Sequence, residues 1–224
     1  MKIFVVGSGK LAKAIMSGDF SFPSCEVLPW GNSILSPSER AILIHAGSGR
    51  QLAECKEFCE RTNSLFIELS TGLETEKLDP NFTLIICPNT SILVLKVLHM
   101  LKRSGHYFHH DHISIMESHQ SSKTSAPGTA FSFAHYLNFP LDDIISVRDP
   151  IEQLKVDIPQ KYLEAHAYHK IIIKDGLDEV TIETKVMGHD SYTRGLRKII
   201  EAAISHNFEK RRYSVFDLIN ENLL

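Results

Sequence analysis

Between Glu117 and Ala130 the chain reads E-S-H-Q-S-S-K-T-S-A-P-G-T-A, a polar loop that follows a strand-like run and leads into a helix beginning near Gly128. The loop holds one histidine, His119, and one lysine, Lys123. An imidazole exchanges protons near neutral pH, and an ammonium donates one more readily where a partly dry cleft lowers its pKa. The same two residues equally suit a solvated loop without chemistry. A second pattern lies at the other end of the chain. Gly7-Ser8-Gly9-Lys10-Leu11-Ala12 matches G-x-G-x-x-G/A, between the apolar run Lys2 to Val6 and the helically spaced Leu11, Ile15 and Met16. There the first glycine permits a tight turn, the second lets a pyrophosphate approach the backbone, and a small third residue lets the helix pack closely. The helix start offers N–H groups to the anion. These six residues are the candidate dinucleotide site; the alternative is a structural turn.

No acidic residue stands at Trp30 or Gly31, where a ribose-binding carboxylate is expected, and Glu26 comes too early in the strand. Asn32 and Ser33 can donate to a 2′-phosphate and Lys10 can supply charge, which favours NADPH over NADH. Trp30 either stacks on an adenine or belongs to the core. His109-His110-Asp111-His112 resembles a metal cluster, but it precedes a strand whose alternation would split its ligands between two faces. No metal is expected. Cys25, Cys55, Cys59 and Cys87 read as reduced thiols, with Cys55 and Cys59 on one helical face.

Positioning these residues requires alternating elements. Strand-like runs at Lys2 to Val6, Cys25 to Trp30, Ala41 to His45, Ser64 to Leu69 and Thr83 to Cys87, with helical spacing from Gly49 to Arg61, predict a parallel sheet covered by helices. Between the second and third strands the linker around Pro37 is too short for a full helix. After Pro88 the pattern changes. A helix over Leu93 to Lys102 is followed by longer strands at His112 to Ser118, Ala165 to Lys174 and Glu179 to Gly188. Asp175-Gly176 marks a hairpin between the last two, hence antiparallel pairing. Helical period returns from Tyr192 to Ser205, and Lys210, Arg211 and Arg212 read as a solvated helix end. The fold class is therefore α/β, a Rossmann-type parallel-sheet domain plus a second α+β domain with a mixed or antiparallel sheet. Residues 1–91 and 194–224 are assigned to the dinucleotide-binding domain, and 92–193 to the substrate and oligomerisation domain.

The loop itself resembles the dihydrodipicolinate reductase family, whose members carry E-x-H-H-x-x-K-x-D-A-P-S-G-T-A. This chain keeps the Glu, first His, Lys, Ala-Pro and Gly-Thr-Ala. It has Gln120 for the second histidine, Ser125 for the aspartate, and no serine between Pro127 and Gly128. His189 to Arg194 is similar to the family's H-x-A-x-S-R segment, and Phe216-Asp217-Leu218 to its F-D-M. Cys87 to Ser91 stands for the A-A-N-F-S hinge and Ser70-Thr71-Gly72 for the T-T-G loop. The resemblance implies His119 and Lys123 as the catalytic pair, with Lys123 the proton donor and His119 an acid/base or the group that positions it. It implies Gln120, Gly128 and Thr129 for the substrate, and Ser70, Thr71, Pro88, Asn89 and Arg194 beside the cofactor. Arg194 has the alternative of capping a structural ion pair. The implied substrate is a small cyclic dicarboxylate of lysine and diaminopimelate biosynthesis, the cofactor NADPH or NADH, and the assembly a homotetramer. Where the family has an Arg-rich, Gly-rich stretch, this chain has Val147 to Leu163, which contains Arg148, Asp149, Pro150 and Pro159 but no glycine.

Composition narrows the remainder. With 224 residues, 43% hydrophobic and 23% charged, the chain can bury a core and is neither disordered nor fibrous. The net charge of −3 gives no basic footprint for nucleic acid. No run of eighteen apolar residues exists, so no membrane span is expected, and the start lacks the features of a signal peptide, so a cytoplasmic location is expected. A same-fold reductase acting on a different imine or amino acid, and a cofactor-binding sensor without turnover, are the alternatives.

Overall fold

The computed structural model describes residues 1–16, 21–31 and 39–224. Asn32, Ser33 and Pro37 lie outside the described residues, as does the side chain of Lys10. Two compact units form, Met1–Thr90 with Tyr192–Leu224, and Ser91–Ser191.

The first unit begins with β1 (Lys2–Val6), α1 (Lys10–Met16), β2 (Glu26–Pro29), β3 (Ala41–His45), α2 (Leu52–Thr62), β4 (Leu65–Glu68) and β5 (Leu84–Ile86). The second contains α3 (Ile92–Ser104), β6 (His112–His119), α4 (Gly128–Tyr136), β7 (Ile145–Val147), α5 (Pro150–Lys155), β8 (His166–Asp175) and β9 (Asp178–Met187). The chain then returns through α6 (Asp190–Ser205), β10 (Arg212–Ser214) and α7 (Val215–Asn220).

All six strands of the first sheet are parallel, in the order β10-β5-β4-β3-β1-β2. Every residue of β3 and β4 is buried, as a parallel strand covered on both faces requires. One face packs on α2, whose Leu52, Cys55, Phe58 and Cys59 meet Phe4, Leu43, Phe66 and Phe82 in one apolar cluster. Trp30, half-buried, packs on that cluster edge-on to Phe4 and Phe58, with ring centroids 5.8 and 5.5 Å away. Burial pushes the Cys55 and Cys87 thiols up to about 12 and that of Cys59 well above its ordinary value, which leaves all three protonated at neutral pH.

The second sheet is mixed, in the order β7-β6-β8-β9, with β7 parallel to β6 and the other pairs antiparallel. Gly176, at φ 57°, turns the β8–β9 hairpin. Ile115, Ile171 and Ile173 lie on the face of this sheet that also carries Glu117 and His169, because the register sets Ile115 against Ile171 and Glu117 against His169.

Four elements differ from the sequence expectation. Ile145–Val147 forms β7, Pro150–Lys155 forms α5, Arg212–Ser214 forms β10, and Val215–Asn220 forms α7. The basic run at 210–212 is therefore no helix end: α6 stops at Ser205, Arg212 opens β10, and the Arg211 guanidinium lies 3.6 Å over the Tyr213 ring. Among the described residues no helix is long and apolar enough to cross a membrane.

Candidate active site

In the first unit the strand order reverses direction at β1 and β3: from β1 the chain moves to β2 on one side, and from β3 to β4 and β5 on the other. Ligands of open parallel sheets bind outside the carboxyl ends of strands at such a switch point. Gly7 lies there, at φ +125°, and a Cβ on it would stand 2.3 Å from the Ala46 carbonyl oxygen. Only glycine fits. Gly9 has open space where a Cβ would be, and Ala12 is buried, so the turn is open at its second glycine and closed at its third small residue. Leu11 is partly exposed and Ser8 exposed.

The loops after β3 and β4 are tied together. His45 Nδ1 lies 2.8 and 2.9 Å from the two oxygens of Glu68, both side chains being fully buried. Glu68 also accepts from the Ser70 N–H at 2.8 Å, while the Ser70 hydroxyl donates to the Gly47 carbonyl at 2.7 Å. Thus Ser70 is committed to holding the Gly47 loop, and Thr71 beside it is exposed. Pro88 is exposed and Asn89 half-buried; the Cys87 thiol donates to the Asn89 carbonyl at 3.1 Å and fixes that bend. Arg194 is exposed on α6.

The second unit holds the other cluster. Glu117 and His119 are two apart on β6, so both project from one face of the sheet. His119 Nδ1 meets Glu117 Oε2 at 2.7 Å. Glu117 is buried, and its other oxygen accepts from the Ser146 hydroxyl at 2.5 Å and from the Arg148 guanidinium at 2.6 Å. Burial alone would push this carboxyl up, but the hydrogen bonds from His119, Arg148 and Ser146, with the guanidinium charge, outweigh it and hold it down to about 2. Gln153, fully buried, donates its amide to the His119 carbonyl at 2.7 Å.

His169 stands opposite Glu117 on β8, its ring 5.8 Å from that of His119 at 78°. Burial, with the nearby His119, pushes His169 down to about 3, so it is neutral at physiological pH. His166 is also pushed down by burial, and its Nε2 lies 2.9 Å from the Ser118 hydroxyl.

Lys123 is half-buried in the loop after β6 and donates to the Ser125 hydroxyl at 2.8 Å. Gln120 is half-buried at the start of that loop. Gly128 opens α4 with its N–H on the Ala126 carbonyl at 3.0 Å, and Thr129 follows in the first turn. Sequence reading named His119 and Lys123 but gave no role to Glu117, Ser146, Arg148, Gln153 or His169. The i, i+2 spacing of Glu117 and His119 was a usable signal; the rest come from β7, the turn after it, α5 and β8. Among the described residues no group of three His, Cys, Asp or Glu is arranged to hold a metal.

No protein-family model matches the chain. It is similar to probable 4-hydroxy-tetrahydrodipicolinate reductase 2, chloroplastic, of Oryza sativa subsp. japonica, at 27% identity over 49% of this chain and 37% of that protein. It is similar at 29% identity, over 49% of this chain and 34% of the other, to 4-hydroxy-tetrahydrodipicolinate reductase 2, chloroplastic, of Arabidopsis thaliana. The matched stretch thus spans little more than a third of these relatives. Among solved structures, a dipicolinate-bound dihydrodipicolinate reductase from Paenisporosarcina sp. TG-14 superposes with a TM-score of 0.67 at 16% identity, covering 97% of this chain and 99% of that one. The chain therefore resembles the 4-hydroxy-tetrahydrodipicolinate reductases in sequence over half its length and shares the dihydrodipicolinate reductase fold over nearly all of it.

Proposed function

We propose that this protein reduces 4-hydroxy-tetrahydrodipicolinate to tetrahydrodipicolinate with a nicotinamide dinucleotide, a step of lysine and diaminopimelate biosynthesis. The observation that carries the reading is His119 and its ionised partner Glu117 at the end of β6, leading directly into the loop that holds Lys123. The likeness to a reductase solved with dipicolinate bound supports a cyclic dicarboxylate as the ligand class.

The glycine turn fits the dinucleotide, because the space a Gly9 Cβ would take is open and Gly7 tolerates no side chain. When bound, the reduced nicotinamide supplies a hydride to a ring carbon of the substrate. The first unit, with Gly7 to Ala12, Ser70, Thr71, Pro88, Asn89 and Arg194, holds the cofactor, and the second unit binds substrate. The absence of a carboxylate at Trp30 or Gly31 favours NADPH, since nothing there repels a 2′-phosphate.

In the second unit Lys123 gives a proton from Nζ to the atom that becomes electron-rich as the hydride arrives, the substrate's 4-hydroxyl group leaves as water, and His119 assists through its ring. Ser125 orients the ammonium in the resting loop. Gln120 and the first turn of α4, Gly128 and Thr129, receive the substrate carboxylates.

The test is a coupled assay in which the unstable substrate is generated in place and oxidation of NADH or NADPH is followed by absorbance. We expect turnover with NADPH above that with NADH. Lys123→Ala should lower kcat on the order of a hundredfold while cofactor affinity, measured by fluorescence titration, stays unchanged. Full turnover in Lys123→Ala would overturn the assignment.

A further inference from the structure

We infer that Glu117, Ser146 and Arg148 form a positioning relay that fixes the proton of His119 on Nδ1 and makes Nε2 the atom that exchanges protons. The inference rests on the reading of His119 as part of the active site and assigns function to Ser146 and Arg148, residues to which the family resemblance gave no role.

An ionised carboxylate only accepts, so the 2.7 Å contact between Glu117 Oε2 and His119 Nδ1 requires the hydrogen to sit on Nδ1. A neutral imidazole in water prefers its proton on Nε2, so the buried carboxylate imposes the less common tautomer and turns the Nε2 lone pair outward. In the charged ring Nδ1 keeps its proton as well. Every proton His119 gains or loses then passes through Nε2.

This assignment holds only while Glu117 is ionised. A protonated Glu117 would be a donor, and its hydroxyl would meet Nδ1 as an acceptor, reversing the ring's polarity. Burial drives the carboxyl toward that neutral form, and Arg148 and Ser146, both on Oε1, oppose it. Of the other ionisable groups around the pair, His166 and His169 on β8 are both pushed toward their neutral forms by burial, so the charge that balances Glu117 comes from Arg148.

The backbone keeps Arg148 in place. Ser146 lies opposite Glu117 in the parallel β6–β7 pair. Asp149 caps the start of α5 by accepting from the N–H groups of Ile151 and Glu152, with Pro150 in the first turn, so the residue after Arg148 is held by two hydrogen bonds. Gln153 then donates to the carbonyls of both His119 and Val147, joining the ends of β6 and β7. Arg148 is thus anchored by the strand on one side and a capped helix on the other.

The experiment uses the full chain labelled with 15N in its histidines, without substrate, and reads the His119 tautomer from two-bond 15N–1H correlations. The wild type should carry its proton on Nδ1. Glu117→Gln keeps the volume but removes the charge, and should move the proton to Nε2 in a substantial fraction of molecules. Arg148→Met should move it in the same direction, and Arg148→Lys should restore the wild-type pattern in part. In the coupled assay Glu117→Gln and Arg148→Met should each lower kcat by about tenfold or more with KM little changed. A wild-type proton on Nε2, or a tautomer unmoved in both Glu117→Gln and Arg148→Met, overturns the relay. Because the tautomer is read without substrate, an inactive wild type with the expected tautomers would count against the reductase reading and leave the relay standing.

Discussion

At the scale of single residues, Gly7 and Gly9 make opposite demands although they belong to one motif. Gly7 needs its positive φ, and a side chain there meets the Ala46 carbonyl, so its role is in the backbone of β1 and β3. Gly9 faces open space, so the packing of the fold does not require glycine there. Gly7→Ala should therefore destabilise the protein by about 2 kcal/mol or more, seen as a lowered urea midpoint, whether or not cofactor is present. Gly9→Asp should unfold at the wild-type midpoint yet lose dinucleotide binding in fluorescence titration, because it places bulk and negative charge where the pyrophosphate is proposed to lie. Equal stability losses for the two would show that the motif is a structural turn. Residue identity at the second cluster was legible only where chemistry is local. His119 and Lys123 stand in one loop and their types announce proton transfer, whereas Arg148 reaches Glu117 across 31 positions of chain and only strand pairing brings them together.

At the scale of elements, β3 and β4 show what an all-apolar reading of parallel strands overlooks. Each ends in a buried polar residue, His45 and Glu68, and these satisfy one another while Ser70 and Thr75 fill the remaining acceptor sites of the carboxylate. Removing one partner leaves the other buried without compensation. Glu68→Ala should lower stability by about 3–5 kcal/mol, and thermal melts with and without dinucleotide would check it; a loss below about 1 kcal/mol would mean that water reaches His45 freely. The long elements were readable from pattern: β1, β3, α2, β6, β8, β9 and α6 all show the expected period and fall within a few residues of their expected bounds. The elements that escaped are short for physical reasons. β7 and β10 have three residues each, too few for alternation to register, and both exist because a neighbouring strand offers an unpaired edge. In α5 the Asp-Pro pair that looks like a breaker is in fact a cap and first-turn proline.

At the scale of the whole molecule, acid stability follows from the second cluster. His169 stays neutral in the folded protein down to about 3, whereas its ordinary value is 6.5, so between these limits the unfolded chain binds the extra proton and stability falls as pH falls. Glu117, held down to about 2 against an ordinary 4.5, contributes fully above 4.5 and loses its contribution as pH falls toward its folded value. The urea midpoint should therefore decline below pH 6.5, with each group adding at most about 1.4 kcal/mol per pH unit. His169→Gln should flatten the part of that slope between pH 6.5 and 4.5, and an unchanged slope would show that His169 titrates freely. A different consequence comes from β10. This strand pairs with β5 to complete the edge of the first sheet, yet the whole second unit lies between the two in the chain. During synthesis the ribosome must therefore deliver all of α3 to β9 before Arg212–Ser214 emerges, and for those seconds the backbone of Leu84–Ile86 has no neighbour on its outer side. An unpaired strand edge is a template on which neighbouring nascent chains can pair, so the timing of translation bears on how much of this protein reaches its native form.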